Sequence, residues 1–139
     1  MGLGLSQYST GLLFWLYFIN TVLLIIHEID FAYWKDWKLL NLNIGIRGFL
    51  IVHLIALPLL LYGLVNVYDL TVIGLSMSLL VSLIGLTAFF IHMRFLNRGH
   101  MEFNTGISKY ILKSILVTSV LQLLLTIYLI IDNIGNGLI

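Results

Sequence analysis

The chain has no cysteine, a single proline and few charges: Asp, Glu, Lys and Arg together make up 9% of its 139 residues. Without cysteine there is no disulfide, thiolate nucleophile, zinc–thiolate site or iron–sulfur cluster, so any metal must take histidine, carboxylate or carbonyl ligands. Soluble domains carry about a quarter charged residues, and a coat this thin excludes water as the main solvent. The formal net charge of +1 argues against a nucleic-acid partner, which needs a basic surface. There is no low-complexity segment, no clear internal repeat and no polar stretch long enough for a separate catalytic domain.

Apolar residues are what the chain has in excess, at 60% hydrophobic with mean hydropathy +1.07. Four apolar stretches, approximately Ser9–Ala32, Ile44–Val67, Leu70–Met93 and Tyr110–Ile131, each come near the ~20 residues that a ~30 Å hydrocarbon core requires. Lipid offers no hydrogen-bond partners, so a helix, which satisfies its own backbone, is preferred over an open sheet. The expectation is an all-α integral membrane bundle of four transmembrane helices that takes up residues 1–139 as one domain. Val67–Leu70 reads as a tight turn joining antiparallel helices, and Pro58 is expected to kink the second.

All seven basic residues flank two of the three loops: Lys35, Lys38 and Arg47 the first, and Arg94, Arg98, Lys109 and Lys113 the third. The positive-inside rule makes those loops cytoplasmic and both termini extracytoplasmic, in a multi-pass protein of the cell membrane. Phe31, Tyr33, Trp34 and Trp37 read as an aromatic belt at that boundary, towards which Lys113 snorkels. Met1–Gly11 has no basic n-region and no small-x-small cleavage site follows it, so the first helix reads as a retained span. The Met1-Gly2 with Ser6 pattern of N-myristoylation is set aside, because an extracytoplasmic terminus is out of reach of that modification.

Small residues recur at Gly74, Ser78 and Ser82, spaced to let another helix approach closely in lipid. Ser114, Thr118, Gln122 and Thr126 share that spacing on the fourth helix, and Asn20 offers a partner near mid-membrane on the first. These are expected to hydrogen-bond between helices.

Chemistry is concentrated in His27-Glu28-Ile29-Asp30, at the cytoplasmic end of the first helix. Ionisable groups inside a membrane are costly, and they mark functional candidates. His27 and Asp30 share a face, with Asn20 two turns away on it, whereas Glu28 points about 100° aside. At ~1.5 Å per residue, His27 lies roughly 7 Å inside Ala32 and His53 roughly 9 Å inside Arg47, with His92 nearer the surface. His27 and His53 are therefore expected to approach each other across antiparallel helices. Together with His92 and Asp30 they make a candidate set of ligands for a divalent metal such as zinc. Glu28 would be the base, and Asn20, Glu102, Asn104 and Ser108 would give support. The plainer alternative is that these side chains snorkel, cap helices or pair with a loop arginine, Asp30 with Arg47 or Arg94 for instance. Position 31 is Phe, so the segment is not the helical His-Glu-x-x-His zinc motif. A haem between His27 and His53 is a disfavoured variant.

At these positions the chain resembles a family of small prokaryotic multi-pass membrane proteins with the signature His-Glu-x-Asp, then an acidic-Trp-basic triplet. Here those residues are His27, Glu28 and Asp30, then Asp36-Trp37-Lys38. The family's later signature, a His closing the third helix, then Glu-Phe-Asn and a Ser, corresponds to His92, Glu102-Phe103-Asn104 and Ser108. The family more often has Glu before the Trp and basic residues around Tyr33-Trp34, so this chain is a divergent example. The resemblance implies four helices in a prokaryotic inner membrane and brings no activity with it.

Three functions follow from these residues. One is a metal-binding membrane protein, extending to a metal-dependent hydrolase or redox enzyme in which Glu28 activates water. Another is a transporter or proton path through Asn20, Gln122 and the histidine cluster. The third is a non-enzymatic accessory or scaffold subunit of a membrane complex, whose small-residue stripes meet partner helices, or further copies of itself, and whose cytoplasmic motif docks a loop or lipid headgroup.

Overall fold

The computed structural model describes residues 2–100 and 104–136, with side chains for 8–35, 37–100 and 104–136. Four helices account for most of them: α1 (Gly2–Trp34), α2 (Gly45–Tyr68), α3 (Val72–Asn97) and α4 (Gly106–Gly135), with a short 3₁₀ turn at Asp36–Lys38 between the first two. Each is long and apolar enough to cross a membrane, α1 over Tyr8–Trp34. Neighbouring helices pack in sequence and α1 closes the ring against α4, while α1 and α3 also touch across it. The connections α1–α2 and α3–α4 share one end, called here the basic end.

The helices overrun the apolar stretches because hydropathy marks what lipid tolerates, whereas a helix runs on to its caps. Thr105 caps α4, its hydroxyl accepting from the Ser108 amide at 3.1 Å. Thr71 caps α3, accepting from the Gly74 amide at 3.0 Å and donating to the Asn66 side-chain carbonyl at 3.0 Å. The turn before it is tight enough to place Leu70 in the left-handed region, at φ 50°.

Glycines set the closest helix approaches. A Cβ on Gly74 would strike the Asn66 backbone of α2, one on Gly63 the Tyr17 hydroxyl of α1, and one on Gly85 the Ser119 hydroxyl of α4. The small-residue stripe on α3 thus continues through Gly85 and serves two neighbours, α2 at its start and α4 further along. Tyr17 is fully buried and donates to the Leu60 carbonyl at 3.0 Å.

A buried polar network crosses the middle of the bundle. Asn20 donates to the Ser119 hydroxyl at 3.1 Å and to Gln122 Oε1 at 2.8 Å, and Thr118 donates back to Asn20 Oδ1 at 3.2 Å. Gln122 in turn donates to the Ser78 carbonyl and hydroxyl, both at 3.0 Å, and Ser78 bonds Thr126 at 2.8 Å. This ties α1 to α4 and α4 to α3. Both amide groups are engaged, as lipid-side burial requires.

One expectation about a local feature changes. Trp37 is buried, packed on Phe49 and Phe31 with ring centroids 5.8 and 6.4 Å away, whereas Tyr33 and Trp34 face outward. Trp37 therefore plugs the bundle end instead of joining a belt. Pro58 lies inside α2, and its missing N–H leaves the Leu54 carbonyl without its helical donor.

Candidate functional site

The 100° offset between His27 and Glu28 on α1 decides how the ionisable residues group. His27 turns to α3, where its ring meets His92 edge to face, centroids 4.5 Å apart, and both are buried. Glu28 turns to α2, where Oε2 lies 3.2 Å from His53 Nε2. Phe31 lies 6.3 Å from the His92 ring and 6.0 Å from Phe49, which in turn lies 3.9 Å from His53, so two phenyl rings lead from His92 to His53.

Backbone carbonyls fix the ring orientations on α2 and α3. His53 Nδ1 sits 2.8 Å from the Phe49 carbonyl and His92 Nδ1 2.7 Å from the Ala88 carbonyl, each one turn back. A carbonyl only accepts, so both Nδ1 atoms carry the hydrogen and Nε2 of the neutral ring is an acceptor. The Glu28–His53 contact then needs one further proton between Oε2 and Nε2. Either a carboxylic O–H donates to the ring, or an imidazolium N–H donates to a carboxylate. Both forms leave the pair with zero net charge, the arrangement least costly to bury in an apolar wall.

The pair opens into a cavity of about 330 Å³ between α1, α2 and α3, lined by Leu24, Ala56, Leu60, Met77, Leu80 and Ile84 among others. Glu28 and His53 are the polar side chains in a wall that is otherwise apolar. A neighbouring cleft of about 360 Å³, lined by His27, Phe31, Leu40, Thr87 and His92, shares Glu28 and Ile84 with it. Glu28 thus stands in the walls of both. Pockets of this size, apolar with a few placed polar groups, are the usual form of small-molecule sites.

The other sequence candidates are placed as follows. Asp30 is half-buried one turn beyond His27, within electrostatic reach of His92, and among the described residues it has no ion pair with Arg47 or Arg94. Asn20 belongs to the mid-bundle network and not to this site. Ser108 is buried in the α4 cap, bonded to the Thr105 hydroxyl at 2.6 Å. Asn104 lies in the α3–α4 connection, in a separate cavity with Lys109 and Lys113, and Glu102 lies outside the described residues. Among the described residues no group of three or more His, Asp or Glu side chains is arranged to hold a metal ion. His27, Asp30, His53 and His92 do not converge, because the histidines of α2 and α3 turn to different faces of α1. The apolar cavity left no mark in the sequence, since its walls read as ordinary membrane-span residues.

Fold and site define an all-helical protein with four segments apolar enough to cross a membrane and a polar pair set at one end of the bundle. The model of a family of unknown function (DUF6713) matches residues 13–129, and the chain belongs to that family. No curated protein and no solved structure matches it.

Proposed function

We propose that the protein is a membrane-embedded binding protein for an amphiphile with an uncharged, hydrogen-bonding head, such as a long-chain alcohol or carbonyl compound. The observation that carries this reading is the Glu28–His53 pair, 3.2 Å apart, in the wall of an otherwise apolar cavity of about 330 Å³. The tail would lie against Ala56, Met77 and Leu80, and the head at Glu28, where the cavity meets the cleft of His27 and His92. A pair of zero net charge can both donate and accept, and it attracts neither a cation nor an anion strongly. The positive-inside rule supports placing this end at the cytoplasmic leaflet.

A diazirine-bearing long-chain alcohol, photolysed with the protein in proteoliposomes, tests the reading. Adducts are expected on the cavity walls, at Ala56, Met77 and Leu80, and Ala56→Trp is expected to remove them by filling the space. Labelling spread evenly over outward residues of α4 such as Leu124, or undiminished by Ala56→Trp, would overturn it.

A further inference from the structure

A different surface of the bundle gathers positive charge. Lys109 and Lys113 stand one turn apart at the start of α4, both exposed, and among the described residues neither has an ion-pair partner. With Asn97, His100 and Asn104 they line a cavity of about 360 Å³ over Leu96, and no carboxylate is among its described lining residues. Lys113 also lines a second cleft, of about 460 Å³, between α1 and α4, whose walls include Ile19, Leu23 and Val117. That cleft reaches Thr118, which bonds Asn20 in the mid-bundle network, so it runs from the basic end towards the bundle centre.

We propose that this composite site binds an anionic glycerophospholipid, its phosphate between Lys109 and Lys113 and an acyl chain in the α1/α4 cleft. The ammonium groups and the amide-bearing wall match a phosphodiester, which accepts hydrogen bonds and carries negative charge. The apolar cleft that begins at the same lysine favours a lipid over free phosphate, which would leave it unfilled. The cationic wall selects an anionic headgroup, because a choline head would bring its own cation among the lysines. Helices α3, α4 and α1 form this site, and the Glu28–His53 cavity takes no part in it.

The test uses the full chain, purified and equilibrated with equal amounts of phosphatidylglycerol and phosphatidylcholine, with retained lipid read by native mass spectrometry. Phosphatidylglycerol is expected to be retained preferentially. Lys109→Gln and Lys113→Gln are each expected to lower that preference about fivefold, as the worth of one lysine near an anionic surface implies. Lys109→Arg with Lys113→Arg should preserve it. Lys35→Gln with Lys38→Gln removes two charges from the same end outside the cavity and should leave the preference intact. Val117→Trp, which obstructs the cleft, should reduce retention. Equal retention of the two lipids by the unaltered protein would overturn the proposal, as would an equal effect of the Lys35 and Lys38 changes or indifference to Val117→Trp. Displacement of the lipid by excess inorganic phosphate would overturn it in favour of a free-phosphate site.

Discussion

Thr21 and Asn20 are adjacent on α1 and both buried, yet their polar groups differ in circumstance. Asn20 is hydrogen-bonded to three residues of α4, whereas Thr21 Oγ1 is a buried side-chain atom with no partner among the described residues. An unpaired buried hydroxyl costs about 1–3 kcal/mol, so Thr21→Val, which keeps the shape, should stabilise the protein by about 1 kcal/mol. Asn20→Leu should destabilise it by about 2 kcal/mol, because hydrogen bonds in membranes are worth about 0.6 kcal/mol on average and Gln122 is left under-satisfied. Reversible unfolding of the two variants in detergent micelles measures both signs. The sequence showed Asn20 as a polar residue in an apolar span, but nothing in it separates a bonded Asn20 from an unbonded Thr21. That distinction rests on rotation about the helix axis, as does the grouping of the histidines. Depth along α1, α2 and α3 could be counted from the interface residues, so His27, His53 and His92 were legible as neighbours at one end. Which neighbour each one faces was not.

The packing of whole helices depends on where a side chain is missing. Gly63, Gly74 and Gly85 each lie where a Cβ would meet another helix, and Gly11 has nothing within 4 Å. Ala at any of the first three positions should therefore destabilise by about 1–3 kcal/mol through overpacking. Gly11→Ala should be neutral or stabilise by up to about 1 kcal/mol through helix propensity. A four-variant series of unfolding free energies checks this, and equal effects at all four positions would remove the close-approach account. Gly74, Ser78 and Ser82 were readable as a stripe from their four-residue spacing, and Gly85 continues it at the next helical return. The sequence does not tell which partner a stripe serves, and here it serves both α2 and α4. Trp37 shows the opposite limit: an aromatic just past a span suits a lipid belt and a buried plug equally well in sequence. The choice was made by Phe31 and Phe49 presenting rings to it.

At the scale of the whole molecule, four long apolar helices were legible because bilayer thickness fixes their length, and the short α2–α3 turn fixed one antiparallel pair. The site was less so, since a cavity is a property of how helices diverge and not of any residue in its wall. The basic residues predict an orientation by rule, and it is open to direct measurement, made simple by the absence of cysteine from the sequence. Asp69→Cys, in the turn away from the basic end, should react with an impermeant maleimide added outside intact cells, and Asn97→Cys should not. The reverse pattern would place the basic end outside. The mid-bundle network also bears on how the protein is made. Among the described residues, every hydrogen-bond partner of the Asn20 side chain lies in α4, about a hundred positions later in the chain. During synthesis α1 therefore emerges well before the α4 residues that its Asn20 amide bonds. The first three helices by themselves are thus an open form with a sticky polar face. Only with α4 in place can the ring close, so a ribosome stalled before α4 would leave a product whose Asn20 is open to another polar helix.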